Sequence, residues 1–185
     1  VAPAGEREQV VIDALAAAGH VLERVPALQR QGSPLPGGVR LEWHGTEIVF
    51  RVLASGEVLI LLYRRSARVP TLRNPFRALV GFLGFLAERR QALGLVRVFG
   101  RVETAPYRAD GGLDDTRLAR FYTDFLGGEV IGPDGVAGFS AMDRRVYKLL
   151  GTSWISLDLV DFRPVAEVVA RRRGRAGQAR RPTAQ

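Results

Sequence analysis

Apolar positions along the 185-residue chain follow two periods, and the points where one gives way to the other divide it into elements. Val10, Val11, Ala14, Leu15 and Ala18 recur at helical spacing, which predicts a helix over 6–18, and Gly19 follows where a left-handed cap ends such a helix. The stretch from Gln29 to Gly38 holds Gly32, Pro34, Pro36, Gly37 and Gly38. These residues break helix and strand alike, so it reads as a surface loop. From Val39 to His44 the period becomes two, with Val39, Leu41 and Trp43 alternating against Arg40, Glu42 and His44 as in a half-buried strand. Gly45-Thr46 then turns the chain. Glu47–Leu53 and Glu57–Tyr63 form two more β-rich runs joined through Ala54-Ser55-Gly56, a connection of hairpin length. Together the three runs predict an antiparallel meander.

Asn74-Pro75 marks the next helix start, because the Asn side chain can accept from an early backbone N–H and proline fits a first turn that has no use for its missing donor. Phe76, Leu79, Val80, Leu83, Leu86 and Ala87 give this helix one apolar face as far as about Leu93. Phe82 and Phe85 widen that face, Gly81 and Gly84 thin it, and Gly94 supplies the stop. Leu95–Val102 follows as a strand, Val96, Val98 and Gly100 alternating against Arg97, Phe99 and Arg101, reached by a right-handed crossover. Asp114 or Asp115 caps a further helix whose Leu118, Phe121, Tyr122 and Phe125 form the buried stripe, ending at Gly127-Gly128. Glu129–Ile131 begins another strand. The pattern over 136–150 fits a strand or a lid equally well. Trp154–Leu159 alternates again, with Ile155, Leu157 and Leu159 on one face, and Pro164 stops it. The predicted fold is a single α+β domain over 1–170: a mixed central sheet with an antiparallel βββ meander and flanking helices, in the order α-βββ-α-β-α-ββ. No repeat of 20–50 residues is visible, which removes solenoids and propellers.

Charge changes the picture only once it is located. Six of the net +8 charges belong to Arg171, Arg172, Arg173, Arg175, Arg180 and Arg181, in a final stretch without an acid, so the rest of the chain is nearly balanced. Apolar residues almost vanish there, nothing offsets the entropy of ordering the chain, and 171–185 reads as a disordered basic tail. It would give salt-sensitive nucleic-acid affinity or act as a solubilising extension. Lys148 is the only lysine among 27 basic residues, a bias that points to genome composition rather than to recognition chemistry. With no cysteine, disulfides, thiolate metal sites and thiol nucleophiles are excluded. The apolar runs fall far short of the roughly 20 residues of a membrane span. Glu6, Arg7 and Glu8 precede any apolar stretch, the wrong order for a secretory signal, so a cytoplasmic protein with no membrane insertion is expected.

Candidate chemistry is sparse. His20 follows a helix stop and His44 ends a strand, with no acid at metal-ligand spacing beside them, so no metal site is expected. No G-x-S-x-G elbow provides a nucleophile. The pair Asp114-Asp115 reads as a cap with a favourable dipole contact more readily than as an acid–base pair. Phe121, Tyr122 and Phe125 read as core, since no basic stripe accompanies them as it would on a base-stacking platform.

Two resemblances add to this reading. The element order resembles that of the acetyl-CoA-dependent N-acetyltransferase superfamily, and Leu118–Gly127 looks like its late helix. That superfamily holds its cofactor pyrophosphate on a glycine-containing loop. The corresponding loop here, Ser66–Asn74, has no glycine and loses a donor at Pro70, so no cofactor is expected. Arg68 and Arg73 could hold an anion there by charge alone, or stand as solvated loop residues. More specifically, Leu72–Leu79, Val98–Glu103, Leu113–Tyr122 and Trp154–Leu157 resemble, in order, the LcrR family of type III secretion regulators. The likeness covers roughly 36–165, and its most recognisable parts are Asn74-Pro75-Phe76 and the run from Arg117 to Tyr122. A longer N-terminal helix, an insertion around 136–150 and the basic tail depart from the family pattern.

The resemblance implies a bacterial virulence protein, tied to the low-calcium response and to translocator expression in an injection system. Neither a helix-turn-helix nor a basic recognition helix is visible in the body, so contact with proteins is expected rather than base readout. The expected function is that of a non-enzymatic, chaperone-like regulator that contacts a translocator, rod or export-gate subunit. Asn74, Phe76, Phe82, Arg117, Arg120 and Tyr122 are its candidate partner-binding residues. The rival readings are a divergent acyl-CoA-dependent N-acyltransferase and a nucleic-acid-binding regulator that uses the tail.

Overall fold

The computed structural model of the chain describes residues 5–26, 28–30, 33–35, 37–65, 76–103, 115–160 and 162, with backbone alone for 28–30, 33–35, 65, 103 and 115–117. The order is α1 (Glu6–Ala17), β1 (Leu22–Val25), β2 (Leu28–Arg30), β3 (Ser33–Leu35), β4 (Gly38–Trp43), β5 (Thr46–Val52), β6 (Glu57–Arg65), α2 (Arg77–Leu93), β7 (Arg97–Glu103), α3 (Asp115–Arg120), β8 (Glu129–Ile131), α4 (Ala141–Leu149) and β9 (Thr152–Asp158). Seven strands form one sheet in the order β1-β4-β5-β6-β7-β9-β8, while β2 and β3 pair only with each other. Within the large sheet β6 and β7 run parallel, joined by the α2 crossover, and the other neighbours are antiparallel. The described residues thus form a mixed α+β domain around an antiparallel meander, as the alternating pattern predicts.

The meander turns where the backbone can. His44 and Gly45 both take positive φ (49° and 72°), the conformation a two-residue hairpin loop needs to match the strands' twist. Gly94 ends α2 in the left-handed region at φ 64°, its N–H reaching back to the last turn. Asn74-Pro75, the expected start of α2, lies outside the described residues, as do Asp114, Pro164 and the tail.

Three corrections concern elements the apolar pattern hides. The loop expected over 29–38 contains most of the β2–β3 hairpin, with Pro34 opposite Gln29 in a strand that has no second neighbour to miss its donor. A further strand, β1, lies at the sheet edge beside β4, where Glu23 and Arg24 are exposed and Arg40 pairs with Glu23 across the strands. The 136–150 segment is neither strand nor lid but contains a short helix, α4. Ser140 Oγ accepts the Asp143 N–H at 3.1 Å while the Asp143 carboxylate accepts the Ser140 N–H at 3.0 Å, a capping box worth about 1 kcal/mol.

The sheet has apolar cover on both sides. Val11 and Leu15 of α1, Leu79, Phe82, Leu83 and Leu86 of α2, and Leu118 of α3 pack with Ile48, Phe50, Val58, Val98, Ile155 and Leu157 on one face. On the other, Val136, Phe139 and Tyr147 close over Leu59, Leu61, Phe99 and Trp154. The second layer covers β7 on this side as well: Phe99 is fully enclosed and even Arg101 is 7% exposed, its guanidinium 5.9 Å above the Tyr147 ring. Buried Glu57 ties this layer down by accepting from the Gly138 N–H (2.8 Å) and the Ser55 hydroxyl (2.9 Å). No helix among the described residues is long and apolar enough to cross a membrane.

Candidate functional site

The parallel pairing of β6 and β7 is short. It runs from Glu57 opposite Arg97 to Ile60 opposite Gly100, although β6 continues to Arg65 and β7 to Glu103. The cause lies on the other side of β6. Against β5 the register passes from Phe50 opposite Ile60 to Val49 opposite Leu62, so Leu61 is an extra residue in β6. Such a bulge bends a strand and increases its twist, which here carries β6 away from β7 beyond Ile60. The carboxyl ends of parallel strands, where neighbours part, are where open α/β sheets place their ligands.

Tyr122 fills the space over the end of that pairing. Its ring lies so close to Gly100 that a Cβ there would stand 2.5 Å from the Tyr122 Cζ, so the close approach requires glycine. The residue is wholly buried and its hydroxyl has no hydrogen-bond partner among the described residues. Burial, with Tyr63 adding to it, pushes the phenol far above its ordinary range, so it stays protonated.

The chain around Tyr122 is not an ordinary helix. After α3, Phe121–Phe125 forms a π-helical turn in which the Leu126 N–H reaches the Phe121 carbonyl at 3.1 Å, one residue further than in an α-helix. Tyr122 then points into the core, while Phe121 and Phe125 lie half-buried and stacked at 5.5 Å. Phe76, just before α2, stacks on Phe121 at 4.0 Å with the ring planes almost parallel. Three phenylalanines from two distant segments therefore form one ladder, and exposed Arg120 adjoins it in the chain.

Of the residues singled out from the sequence, Phe76 and Tyr122 meet at Phe121 in this ladder, and Arg120 precedes it in the chain. The Arg117 backbone lies one turn earlier in α3, and Asn74 and the basic tail lie outside the described residues. Phe82 stands apart: it is fully enclosed, 5.3 Å from Phe50 and 6.2 Å from Trp43. Whatever Phe82 and Tyr122 contribute to a surface they contribute by supporting it.

The sequence did not single out a second concave feature, a cleft of ≈ 320 Å³ between the end of β4 and α2, lined by His20, Trp43, Gly81, Gly84, Phe85 and Phe162 among others. Gly81 lets the Trp43 ring rest on α2, since a Cβ there would lie 3.1 Å from the indole nitrogen, and Gly84 leaves open space beside it. His20 stacks on Trp43 at 4.0 Å. Burial, and His44 nearby, hold its imidazole below the usual range, so it is neutral at pH 7. The signal for the cleft was the i, i+3 glycine pair thinning an aromatic-rich face. Among the described residues, no three His, Cys, Asp or Glu side chains cluster so as to hold a metal ion.

Residues 11–142 match the family model described as type III secretion system regulator (LcrR). The matched span begins inside α1, at Val11, so residues 6–10 of that helix lie outside it and the rest within it. The sequence matches no curated protein. Among solved structures, the chain is similar to an N-acetylglutamate synthase from Neisseria gonorrhoeae in complex with coenzyme A and N-acetyl-glutamate. The identity is 13% and the TM-score 0.44, with 86% of this chain and 34% of that one covered, so the chain spans about a third of that protein's length.

Proposed function

The chain belongs to the LcrR family of type III secretion system regulators, and from that membership we infer that it works as a non-enzymatic, cytoplasmic binding protein that contacts a translocator, rod or export-gate subunit. The observation that carries this reading is the ladder of Phe76, Phe121 and Phe125, with exposed Arg120 next to Phe121 in the chain. Aromatic rings and arginine dominate the energetics of protein interfaces. A ring has few rotamers to lose, and a guanidinium makes several directed hydrogen bonds. Rings already stacked on one another lose still less freedom when a partner covers them.

The test uses Arg120, because a charged replacement of buried Phe82 or Tyr122 would be a folding defect. Arg120 is exposed, so Arg120→Glu should leave stability within about 0.5 kcal/mol of the parent. If Arg120 is a hot-spot residue, the same change weakens partner binding by about 30-fold, the equivalent of about 2 kcal/mol. Co-purification of tagged wild-type and Arg120→Glu proteins with each candidate subunit reads this directly. Equal recovery by the two would place the contact elsewhere.

A further inference from the structure

The cleft beside α2 has the chemistry of a site for a planar cation. Trp43, His20 and Phe85 supply aromatic surface and Glu88 a carboxylate. The floor at Gly84 is open, because even a Cβ there would meet nothing within 4 Å. One face of Phe85 already carries a guanidinium, that of Arg89, 4.2 Å from the ring centroid, and Arg89 also reaches the Glu88 carboxylate at 3.4 Å. Cations prefer the faces of such rings because the π-system presents negative potential there, and His20, stacked on Trp43, forms one aromatic wall with it. His20, neutral at pH 7, sets no opposing charge in the cleft.

The chain itself indicates what occupies it. Phe162, the last described residue, is one of the cleft's lining residues. The sequence runs on for 23 residues beyond it, with Arg171 nine positions away and six arginines in the final fifteen. A tether of nine residues spans at most about 30 Å whatever path it takes, so the first of these arginines begins within reach. We propose that the cleft between β4 and α2 is the docking site for an arginine side chain of this chain's own C-terminal segment, residues 171–185, held in cis by the Trp43–His20 aromatic wall and the Glu88 carboxylate.

Effective concentration decides between this occupant and a free one. A single guanidinium on an exposed aromatic wall is a weak contact. A short tether presents it at a concentration on the order of millimolar, whereas a cationic peptide from another protein arrives at micromolar levels or below. The tethered segment therefore fills the cleft first. Any partner that uses this face must displace it, and an anionic partner does so by drawing the arginines away.

The chain holds two tryptophans, Trp43 in the cleft and Trp154 fully buried in the sheet's other layer, so each can report separately. The experiment compares indole N–H resonances of the full-length protein with those of a full-length variant in which all six tail arginines are replaced by glutamine. The Trp43 resonance is expected to move and the Trp154 resonance to stay. Glu88→Gln in the otherwise native chain should produce a shift in the same direction, and Gly84→Leu, which fills the cleft, should make the spectrum indifferent to the tail substitutions. A Trp43 resonance that is the same in both proteins overturns the proposal. So does movement of both indoles, which would report a general effect of charge removal. A difference that disappears on dilution would also overturn it, because it would assign the contact to the tail of a second copy.

Discussion

Trp154→Ala is expected to cost about 3–5 kcal/mol of folding stability, the range for truncating a fully buried tryptophan. Trp154 is 0% exposed at the centre of β9 and packs edge-to-face against Phe139 (5.3 Å) and Tyr147 (5.1 Å). Those rings attach α4 and the segment before it to the sheet, so the cavity opens between two layers that cannot both collapse into it. Measured against a whole-domain stability of about 5–15 kcal/mol, such a loss brings the protein close to unfolding. Urea denaturation reads it as a lower midpoint at an unchanged slope. Trp154→Phe should lose far less. It keeps a ring between Phe139 and Tyr147 and removes an indole N–H that has no partner among the described residues. A Trp154→Ala loss under about 1 kcal/mol would mean that this second layer does not pack as described.

The second large effect is at Gly100. A methyl group there meets the Tyr122 ring at 2.5–2.7 Å and its hydroxyl oxygen at 2.9 Å, and a buried ring has no flexible end to swing aside. Gly100→Ala is therefore expected to cost about 1–3 kcal/mol or somewhat more through overpacking. Tyr122→Phe should behave in the opposite sense. It removes a buried hydroxyl without a partner and leaves the ring in place, so it should be neutral or raise the urea midpoint, because an unsatisfied buried hydroxyl itself costs about 1–3 kcal/mol. A clear loss of stability in Tyr122→Phe would show that the hydroxyl is bonded in solution.

The parts of the fold that the sequence made legible are those in which one period matches one buried face. In β4 and β9 the residues with the right parity, Val39, Leu41, Ile155 and Leu157, do face the core, and α2 ends at Gly94 as its composition demands. What stayed hidden obeys other physics. β1 is an edge strand with no face fully buried, so it carries no alternation. α4 buries only Tyr147 while Met142 and Leu149 face outward, so its signal is the Ser140–Asp143 capping box and not an apolar stripe. β7 places a charged residue, Arg101, where only knowledge of a second layer could predict cover.

The candidate site divides in the same way. Phe76 and the Arg120–Tyr122 run were legible, but a stripe of Phe121, Tyr122 and Phe125 at helical spacing predicts three buried rings. The π-helical turn separates them, sending Tyr122 inward and leaving the two phenylalanines half-buried against Phe76. One extra residue in a helical turn leaves no mark in composition. The Trp43 cleft was hidden because it depends on two glycines meeting a strand end from far along the chain, a tertiary coincidence.

The central claim, that this LcrR-family chain acts by holding a protein of the secretion machinery, is tested most directly by affinity capture. The tagged full-length protein is recovered from its own host under secretion-inducing conditions, with nuclease and moderate salt to remove contacts made only through the basic tail, and the bound proteins are identified by mass spectrometry. The expected result is enrichment of a translocator, rod or export-gate subunit over an untagged control, lost with Arg120→Glu. Recovery of no secretion component under those conditions would contradict it.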